Sequence, residues 1–155
     1  VVGTTGGQLG GGGGRAGGPV DGGRLPELGP VLREMPGPMG IDHRGRVNAS
    51  AGLDQEPFRL LLDLMEDEGF WVKVCGSERI SRAGPPFHDA VPFARTLVET
   101  YPDRVLWGTD WPHPNIKKYM PDDGALVDLL PLMAPNDDLM RALLVDNPTR
   151  LYWAD

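Results

Sequence analysis

The residues most able to carry out chemistry fall in three short polar segments, each of which follows an apolar run. The first is DHRGR at 42–46, the second is GSERISR at 76–82 and the third is TDWPHPN at 109–115. Aspartate and histidine side chains can accept and donate protons, and arginine binds carboxylates through two parallel hydrogen bonds. The three segments therefore carry the residue types of a proton-transferring site for an anionic substrate.

The apolar runs in front of these segments predict β-strands. GPMGID at 37–42, FWVKVC at 70–75 and RVLWG at 104–108 are short, and the second is rich in aromatic and β-branched residues. Between them, PFRLLLDLMEDEG at 57–69 places apolar residues at helical spacing, and so does the stretch 88–101. This alternation of strands and helices predicts an α/β fold in which right-handed crossovers join parallel strands.

Two α/β architectures fit this order of elements, a doubly wound open sheet and part of a (β/α)8 TIM barrel. A complete barrel needs about 250 residues, whereas this chain has 155. In both architectures the loops that follow the strands meet at one edge of the sheet. With the Ile-Lys-Lys that follows the third segment, these loops hold six of the 15 lysines and arginines of a chain whose net charge is −7. We therefore expect a cationic mouth that binds a small anion.

Each candidate residue also has a purely structural interpretation. Asp110 is able to cap a turn, His43 to donate a hydrogen bond to a backbone carbonyl in the core, and His113 to serve as a rigid loop residue. Solvated surface charge is the alternative for four further residues, Arg44, Arg82, Lys117 and Lys118. The expected convergence of the three segments on one edge favours a functional site over these separate alternatives.

The beginning of the chain differs from the rest in composition. Twelve of the 22 glycines lie within residues 1–23, and such a segment buries too little apolar surface to offset the entropy lost on ordering. We expect residues 1–20 to form a disordered leader ahead of one α/β domain at 21–155. The glycines match no nucleotide-binding loop, because the GxxxxGK(S/T) pattern is absent.

Composition also narrows the class of protein. The single cysteine, Cys75, excludes an intrachain disulfide framework and predicts a reducing, cytoplasmic location. No apolar stretch approaches the roughly 20 residues that span a bilayer, so no membrane segment is expected. The acidic net charge argues against a nucleic-acid partner, which requires a basic face.

The polar segments and the strands before them resemble amidohydrolase family 2. IDHRGR at 41–46, WVKVCGSERIS at 71–81 and RVLWGTDWPHPN at 104–115 carry the resemblance, and DAVPFAR at 89–95 and LLVDNPTRLYW at 143–153 agree with it. Within the family, the chain is most similar to the 2-pyrone-4,6-dicarboxylate lactonases, which open a pyrone ring in the breakdown of protocatechuate and lignin-derived aromatics. The resemblance implies the carboxyl-terminal half of a TIM barrel.

The resemblance also implies a role for individual residues. Asp110 is expected to act as the general base on the hydrolytic water, and His43 to polarise the lactone carbonyl. Three residues are expected to hold the carboxylates of the substrate, a small anionic lactone: Arg46, Arg79 and Asn115. No metal and no other cofactor is expected, although in the wider superfamily positions such as His43 and Asp110 lie near a divalent metal.

The chain departs from the family pattern in its amino-terminal part. Family members begin with a strand that carries a His-x-His pair, and this sequence contains no such pair. The simplest interpretation is a carboxyl-terminal fragment of a lactone hydrolase that is inactive alone. The alternatives are a metal-dependent decarboxylase or hydrolase of the same family, and a non-catalytic half-barrel that self-associates through exposed strand edges.

Overall fold

The computed structural model describes five parts of the chain, 16–18, 24–34, 38–114, 116 and 119–153. Within these parts, four strands form one sheet: β1 Ala16–Gly18, β2 Met39–Ile41, β3 Phe70–Lys73 and β4 Val105–Leu106. The order across the sheet is β1-β2-β3-β4, and each neighbouring pair is parallel. The three strands predicted from the sequence are present, and β1 is additional.

The order of the strands distinguishes between the two expected architectures. In a doubly wound sheet the strand order reverses at a switch point, whereas the strands of a barrel follow one another in chain order. Here each strand pairs with the next strand along the chain. The chain therefore has an α/β fold whose parallel sheet has the topology of part of a (β/α)8 barrel, as expected.

Helices connect the strands. They are α1 Leu25–Arg33 after β1, α2 Glu56–Met65 after β2, and α3 Ser77–Ile80 and α4 Val91–Thr100 between β3 and β4. After β4 come α5 Asp123–Val127, α6 Leu130–Met133, α7 Asp137–Arg141 and α8 Asn147–Trp153, with a π-helical turn at Ala142–Asp146. The sequence predicted a loop where α3 lies and a single helix across α5 and α6. These last two helices are separate because Pro131 at the start of α6 lacks a backbone donor. No helix within the described parts is long and apolar enough to cross a bilayer.

The main core lies between the sheet and the helices. The β3 region contributes alternate residues to it, Phe70, Val72 and Val74, because successive side chains of a strand point to opposite faces. Helices α2 and α4 contribute buried apolar residues that include Phe58, Leu61, Phe93 and Leu97. On the alternate positions, Trp71 packs with Leu106 and Leu151 in a separate cluster. Strand β3 is thus covered on both faces.

The expected disordered leader at 1–20 lies almost entirely outside the described residues. The part that is described, Ala16–Gly18, forms β1 and pairs with Met39–Ile41. At these three residues the structure differs from an unstructured leader, because a strand is held by backbone hydrogen bonds that do not depend on apolar side chains. For the rest of the segment the expectation stays a prediction.

Candidate active site

Three side chains from three loops meet at the carboxyl edge of the sheet. His43 lies in the turn after β2, Arg79 in α3 after β3, and Asp110 in the loop after β4. Nε and Nη2 of Arg79 both lie 2.5 Å from Oδ2 of Asp110. Nε2 of His43 lies 3.6 Å from Oδ1 of the same carboxylate. The loops therefore converge, as their positions after neighbouring parallel strands predicted.

The backbone presents these side chains from conformations that non-glycine residues rarely adopt. The φ angles of His43, Asp110 and His113 are 51°, 68° and 54°, all in the left-handed region. Such a conformation costs a residue with a Cβ about 1–2 kcal/mol. Strain of this kind persists where the surrounding structure enforces it, and it clusters at functional sites. The local backbone thus distinguishes this edge of the sheet as a candidate active site.

The imidazole of His43 is held tightly by its surroundings. Its Nδ1 lies 3.4 Å from Sγ of Cys75, and a Cβ added at Gly76 would lie only 2.6 Å from Nδ1. Gly76 has φ of 74°, so its backbone conformation and its contact with the ring both require glycine. Burial lowers the pKa of His43 against the opposing effect of the Asp110 carboxylate. The ring is therefore neutral at neutral pH.

A cleft of about 290 Å³ opens beside His43 and Asp110. Its walls also include Asp42, Lys73 and Trp107. Nζ of Lys73 lies 2.9 Å from Oδ1 of Asp42. Burial lowers the pKa of Lys73, but the hydrogen bond and the charge of Asp42 outweigh this effect and leave the pKa raised. The cleft therefore combines the carboxylate of Asp110, a neutral imidazole and a cationic amine.

The two arginines on either side of Gly45 have opposite environments. Arg44 is fully buried; its Nη1 donates to the Val74 carbonyl oxygen at 2.8 Å, and its Nη2 lies 3.4 Å from Oγ of Ser77. Burial lowers the pKa of Arg44 to about 10. The interpretation of Arg44 as a solvated charge is therefore wrong, because the left-handed turn directs this side chain inward. Arg46 is exposed, and its charge acts on the His43 ring.

A buried acid–base pair, Glu78 and His113, lies next to the contact between Arg79 and Asp110. The two side chains are 0% and 1% exposed, and Nδ1 of His113 lies 3.7 Å from Oε1 of Glu78. On its other side, Nε2 of His113 lies 3.1 Å from Oδ1 of Asp123. Burial raises the pKa of Glu78, although its own backbone N–H and Arg79 act in the opposite direction. The pair joins α3 to the loop that carries Asp110.

Glu78, Asp110 and His113 form the group of described residues that comes nearest to a metal site, with ligand atoms within 4.8 Å of one another. The guanidinium group of Arg79 already lies against both carboxylates, 2.5 Å from Oδ2 of Asp110 and 3.7 Å from Oε1 of Glu78. A divalent cation bound there would meet this positive charge at close range. The residues therefore do not fit a metal ion while Arg79 holds this position.

The structure describes four of the five residues predicted for the site. Asn115 lies outside the described residues, as do Lys117 and Lys118 of the expected cationic mouth. Arg79, which was expected to hold a substrate carboxylate, has two nitrogens on Asp110 instead. Its Nη2 also donates to the Pro114 carbonyl oxygen at 3.0 Å. The structure thus brings Arg79 to the site but directs it towards the candidate base.

Two residues that line the cleft, Lys73 and Cys75, were not predicted from the sequence. A usable signal was present, because Phe70, Val72 and Val74 belong to the main core. Because successive side chains of a strand point to opposite faces, Lys73 and Cys75 lie on the other face of the sheet, near the carboxyl end of β3. A lysine within a run of otherwise apolar strand residues is costly to bury without a partner, and Asp42 is that partner.

Comparisons with known proteins identify relatives of the chain. The profile of the amidohydrolase family matches residues 7–153. The chain is 50% identical over 140 residues to the 2-pyrone-4,6-dicarboxylate hydrolase of Comamonas testosteroni, and the match covers 84% of this chain and 46% of that protein. It is 50% identical over 123 residues to the 4-sulfomuconolactone hydrolase of Hydrogenophaga intermedia, with 78% and 41% covered.

A solved structure gives the same result in three dimensions. A Pseudomonas putida protein assigned as a 2-pyrone-4,6-dicarboxylic acid hydrolase superimposes with a TM-score of 0.71 at 32% sequence identity. The superposition covers 84% of this chain and 48% of that one. The chain therefore spans about half the length of the relatives that it matches.

Proposed function

The chain belongs to the amidohydrolase family, and from this membership we propose that it forms part of a hydrolase that opens the ring of a carboxylated lactone in aromatic catabolism. Two relatives with 50% identity are named as hydrolases of 2-pyrone-4,6-dicarboxylate and of 4-sulfomuconolactone. Both names describe lactones that carry anionic groups. Since the chain spans about half of each relative, the proposal concerns the activity of the whole protein.

Asp110 is the proposed general base, and its contacts are the observation that carries the proposal. In lactone hydrolysis, water attacks the ring carbonyl, a tetrahedral oxyanion forms, and the ring C–O bond then breaks to leave a carboxylate and a hydroxyl group. A base must take one proton from the attacking water. Arg79 holds Oδ2 of Asp110, and Oδ1 is on the side of His43 in the cleft lining.

His43 is the proposed donor to the developing oxyanion. Burial raises the pKa of the Cys75 thiol to about 11, so the thiol stays protonated at neutral pH. Its S–H can therefore donate a hydrogen bond to Nδ1 of His43, which lies 3.4 Å from Sγ. The neutral ring then carries its own proton on Nε2, which is the nitrogen nearest Asp110. A donor placed where negative charge develops typically contributes a factor of about 10²–10³ to the rate.

The anionic groups of the substrate are proposed to bind to cations around the cleft. Arg46 is exposed and acts electrostatically on His43, and Asn115 stays a predicted contact from the sequence. Lys73 adds a cation inside the cleft, since its ammonium group has three donors and Asp42 is the partner of one of them. Nε and Nη2 of Arg79 contact Asp110, so Arg79 can bind the substrate only through its remaining nitrogen.

The proposal is tested with a chimera that joins residues 16–155, which retain β1, to the amino-terminal half of a family member. We expect the chimera to consume 2-pyrone-4,6-dicarboxylate, followed as loss of pyrone absorbance, and to act poorly on unsubstituted 2-pyrone. The 155-residue chain alone is expected to show no turnover, because its three histidines include no His-x-His pair. A folded chimera that hydrolyses neither lactone would contradict the proposed function.

Self-association and cytoplasmic location belong to the same proposal. Among the described strands, β1 and β4 each pair on one side only, and an unpaired strand edge is a template for another chain. We propose that copies of the isolated chain associate through these edges. Sedimentation velocity tests this proposal, since the mass of the sedimenting species should rise with protein concentration. The single buried cysteine, Cys75, is compatible with a reducing compartment.

A further inference from the structure

Glu78 is a buried carboxyl group that the proposed hydrolysis leaves without a role. Its side chain is 0% exposed, and neither of its carboxylate oxygens has a hydrogen-bond partner among the described residues. Buried polar groups in folded proteins are nearly always paired, and leaving one unpaired costs about 1–3 kcal/mol. The position of Glu78 is therefore unfavourable for stability and requires another explanation.

The groups that face Glu78 indicate what that explanation is. Nδ1 of His113, which also lacks a hydrogen-bond partner, lies 3.7 Å from Oε1 of Glu78. Nε of Arg79 lies 3.7 Å from the same oxygen. Three further groups act electrostatically on Glu78: Asp110, Arg44 and Tyr119. Oε1 of Glu78 thus faces both the imidazole and the guanidinium group that holds Asp110.

We propose that Glu78 and His113 share one proton and act as a positioning pair that holds Arg79 against Asp110. Asp123 lies 3.1 Å from Nε2 of His113, and this half-exposed carboxylate accepts a hydrogen bond from Nε2–H. Nδ1 is then directed at Glu78. One proton between Nδ1 and Oε1 satisfies both atoms once they approach by about 0.7 Å, from 3.7 Å to the usual hydrogen-bond distance of about 3.0 Å.

The chain connectivity explains why this pair affects the base. Glu78 and Arg79 are neighbours in α3, and His113 follows Asp110 by three positions in the loop after β4. The contact between Glu78 and His113 therefore fixes α3 to that loop beside the contact between Arg79 and Asp110. Through Asp123, the same pair also connects the loop to α5. This inference rests on the proposed function to the extent that Asp110 is the base.

The test is a spectrum of the imidazole nitrogens in the 15N-labelled 155-residue chain. The chain has three histidines, and exposed His88 serves as an internal reference. In wild type we expect His113 to show both ring nitrogens hydrogen-bonded and the Nε–H of Arg79 to exchange slowly with solvent. In Glu78→Gln, which keeps the shape but removes the shared proton, we expect the His113 signals to shift and Arg79 exchange to accelerate, with His88 unchanged.

Two variants keep the test decisive. Glu99→Gln is the matched control, since Glu99 is a half-exposed glutamate in α4 that pairs only with Arg95 among the described residues, and it should leave His113 and Arg79 unchanged. If Glu78→Gln does not fold, Asp123→Asn at the exposed end of the network is used instead, and the Nε2 signal of His113 should shift. Unchanged His113 and Arg79 signals in the folded variant would overturn the positioning role.

Kinetics separate this inference from the proposed function. In an active chimera, Glu78→Gln should lower kcat by about 10–100-fold with little change in KM, because misplacing a reacting group by about 1 Å has an effect of this size. A chimera without turnover, combined with the expected spectra, would contradict the proposed function and leave the pair in place. An active chimera with kcat unaffected by Glu78→Gln would overturn the inference alone.

Discussion

Two nitrogens of Arg79, Nε and Nη2, share one carboxylate oxygen of Asp110, Oδ2, each at 2.5 Å. Charge-assisted hydrogen bonds of this kind are roughly twice as strong as neutral ones, and two of them fix the orientation of the carboxylate. The second oxygen, Oδ1, is consequently on the side of His43. Arg79 therefore determines which oxygen of the Asp110 carboxylate faces His43.

The first prediction concerns Arg79→Lys in an active chimera. Lysine keeps the charge but loses the planar arrangement of two donors, so Asp110 should lose its orientation and kcat should fall by about 10–100-fold. Arg82→Lys is the matched control, because Arg82 is an exposed arginine of the same segment and should leave kcat unchanged. A raised KM at constant kcat would instead show that Arg79 binds the substrate, as the sequence predicted.

The second prediction concerns the close contact between Gly76 and His43. A Cβ at Gly76 would lie 2.6 Å from Nδ1 of His43. Gly76 has φ of 74° and ψ of 40°, a left-handed conformation that costs alanine about 1–2 kcal/mol. Gly76→Ala in a His43→Ala background measures this backbone strain alone. We expect Gly76→Ala in the unsubstituted chain to lower the free energy of unfolding by at least about 1 kcal/mol more, as overpacking does. Equal losses in urea unfolding would show that His43 yields without cost.

The third prediction uses the two arginines of the turn after β2. Arg44 is fully buried beside the Val74 carbonyl oxygen, and Arg46 is exposed. Arg44→Met should lower the free energy of unfolding by about 1–3 kcal/mol, because it leaves the Val74 carbonyl oxygen without this partner. Arg46→Met should change it by less than about 0.5 kcal/mol. Similar losses for the two variants would contradict the burial of Arg44.

The fourth prediction is a pH dependence of stability. Burial lowers the pKa of His43 below its value of 6.5 in the unfolded chain, so the unfolded state binds more protons between these two pKa values. The free energy of unfolding should therefore fall as the pH drops from above 6.5 towards the folded pKa. His43→Gln should reduce this loss and His88→Gln, at an exposed site, should not. The same slope in His43→Gln and in wild type would exclude His43 as its source.

The sequence predicted the strands β2, β3 and β4 and the convergence of the polar segments, because apolar periodicity and parallel connections leave little freedom. It did not predict β1, Ala16–Gly18, since a glycine-rich strand is specified by its neighbour Met39–Ile41 and not by its own side chains. Nor did it predict the environment of Arg44, which depends on four successive residues with positive φ in the turn, 43–46. Both features are set by tertiary contacts that local propensity does not encode.

The partner of each charged residue was likewise beyond prediction from the sequence. The polar segments follow neighbouring parallel strands, and this brings Arg79, Asp110 and the cleft to one edge of the sheet. It does not determine whether the guanidinium group faces the base or the substrate. That choice depends on distances of a few ångströms, which the left-handed backbone at Asp110 and the neighbouring Pro114 carbonyl oxygen set. The direction of these side chains therefore could not be predicted from the sequence.

The fifth prediction tests the central claim, that Asp110 is the base of a lactone-opening site. The measurement is the rate of pyrone consumption by the chimera of residues 16–155 and by its Asp110→Asn variant, together with the Kd of each for the dicarboxylate. Asparagine keeps the shape of the side chain but cannot accept the proton, so we expect turnover to fall by at least about 10²-fold while the variant still binds the dicarboxylate. Turnover of Asp110→Asn at the rate of the unsubstituted chimera would contradict the claim.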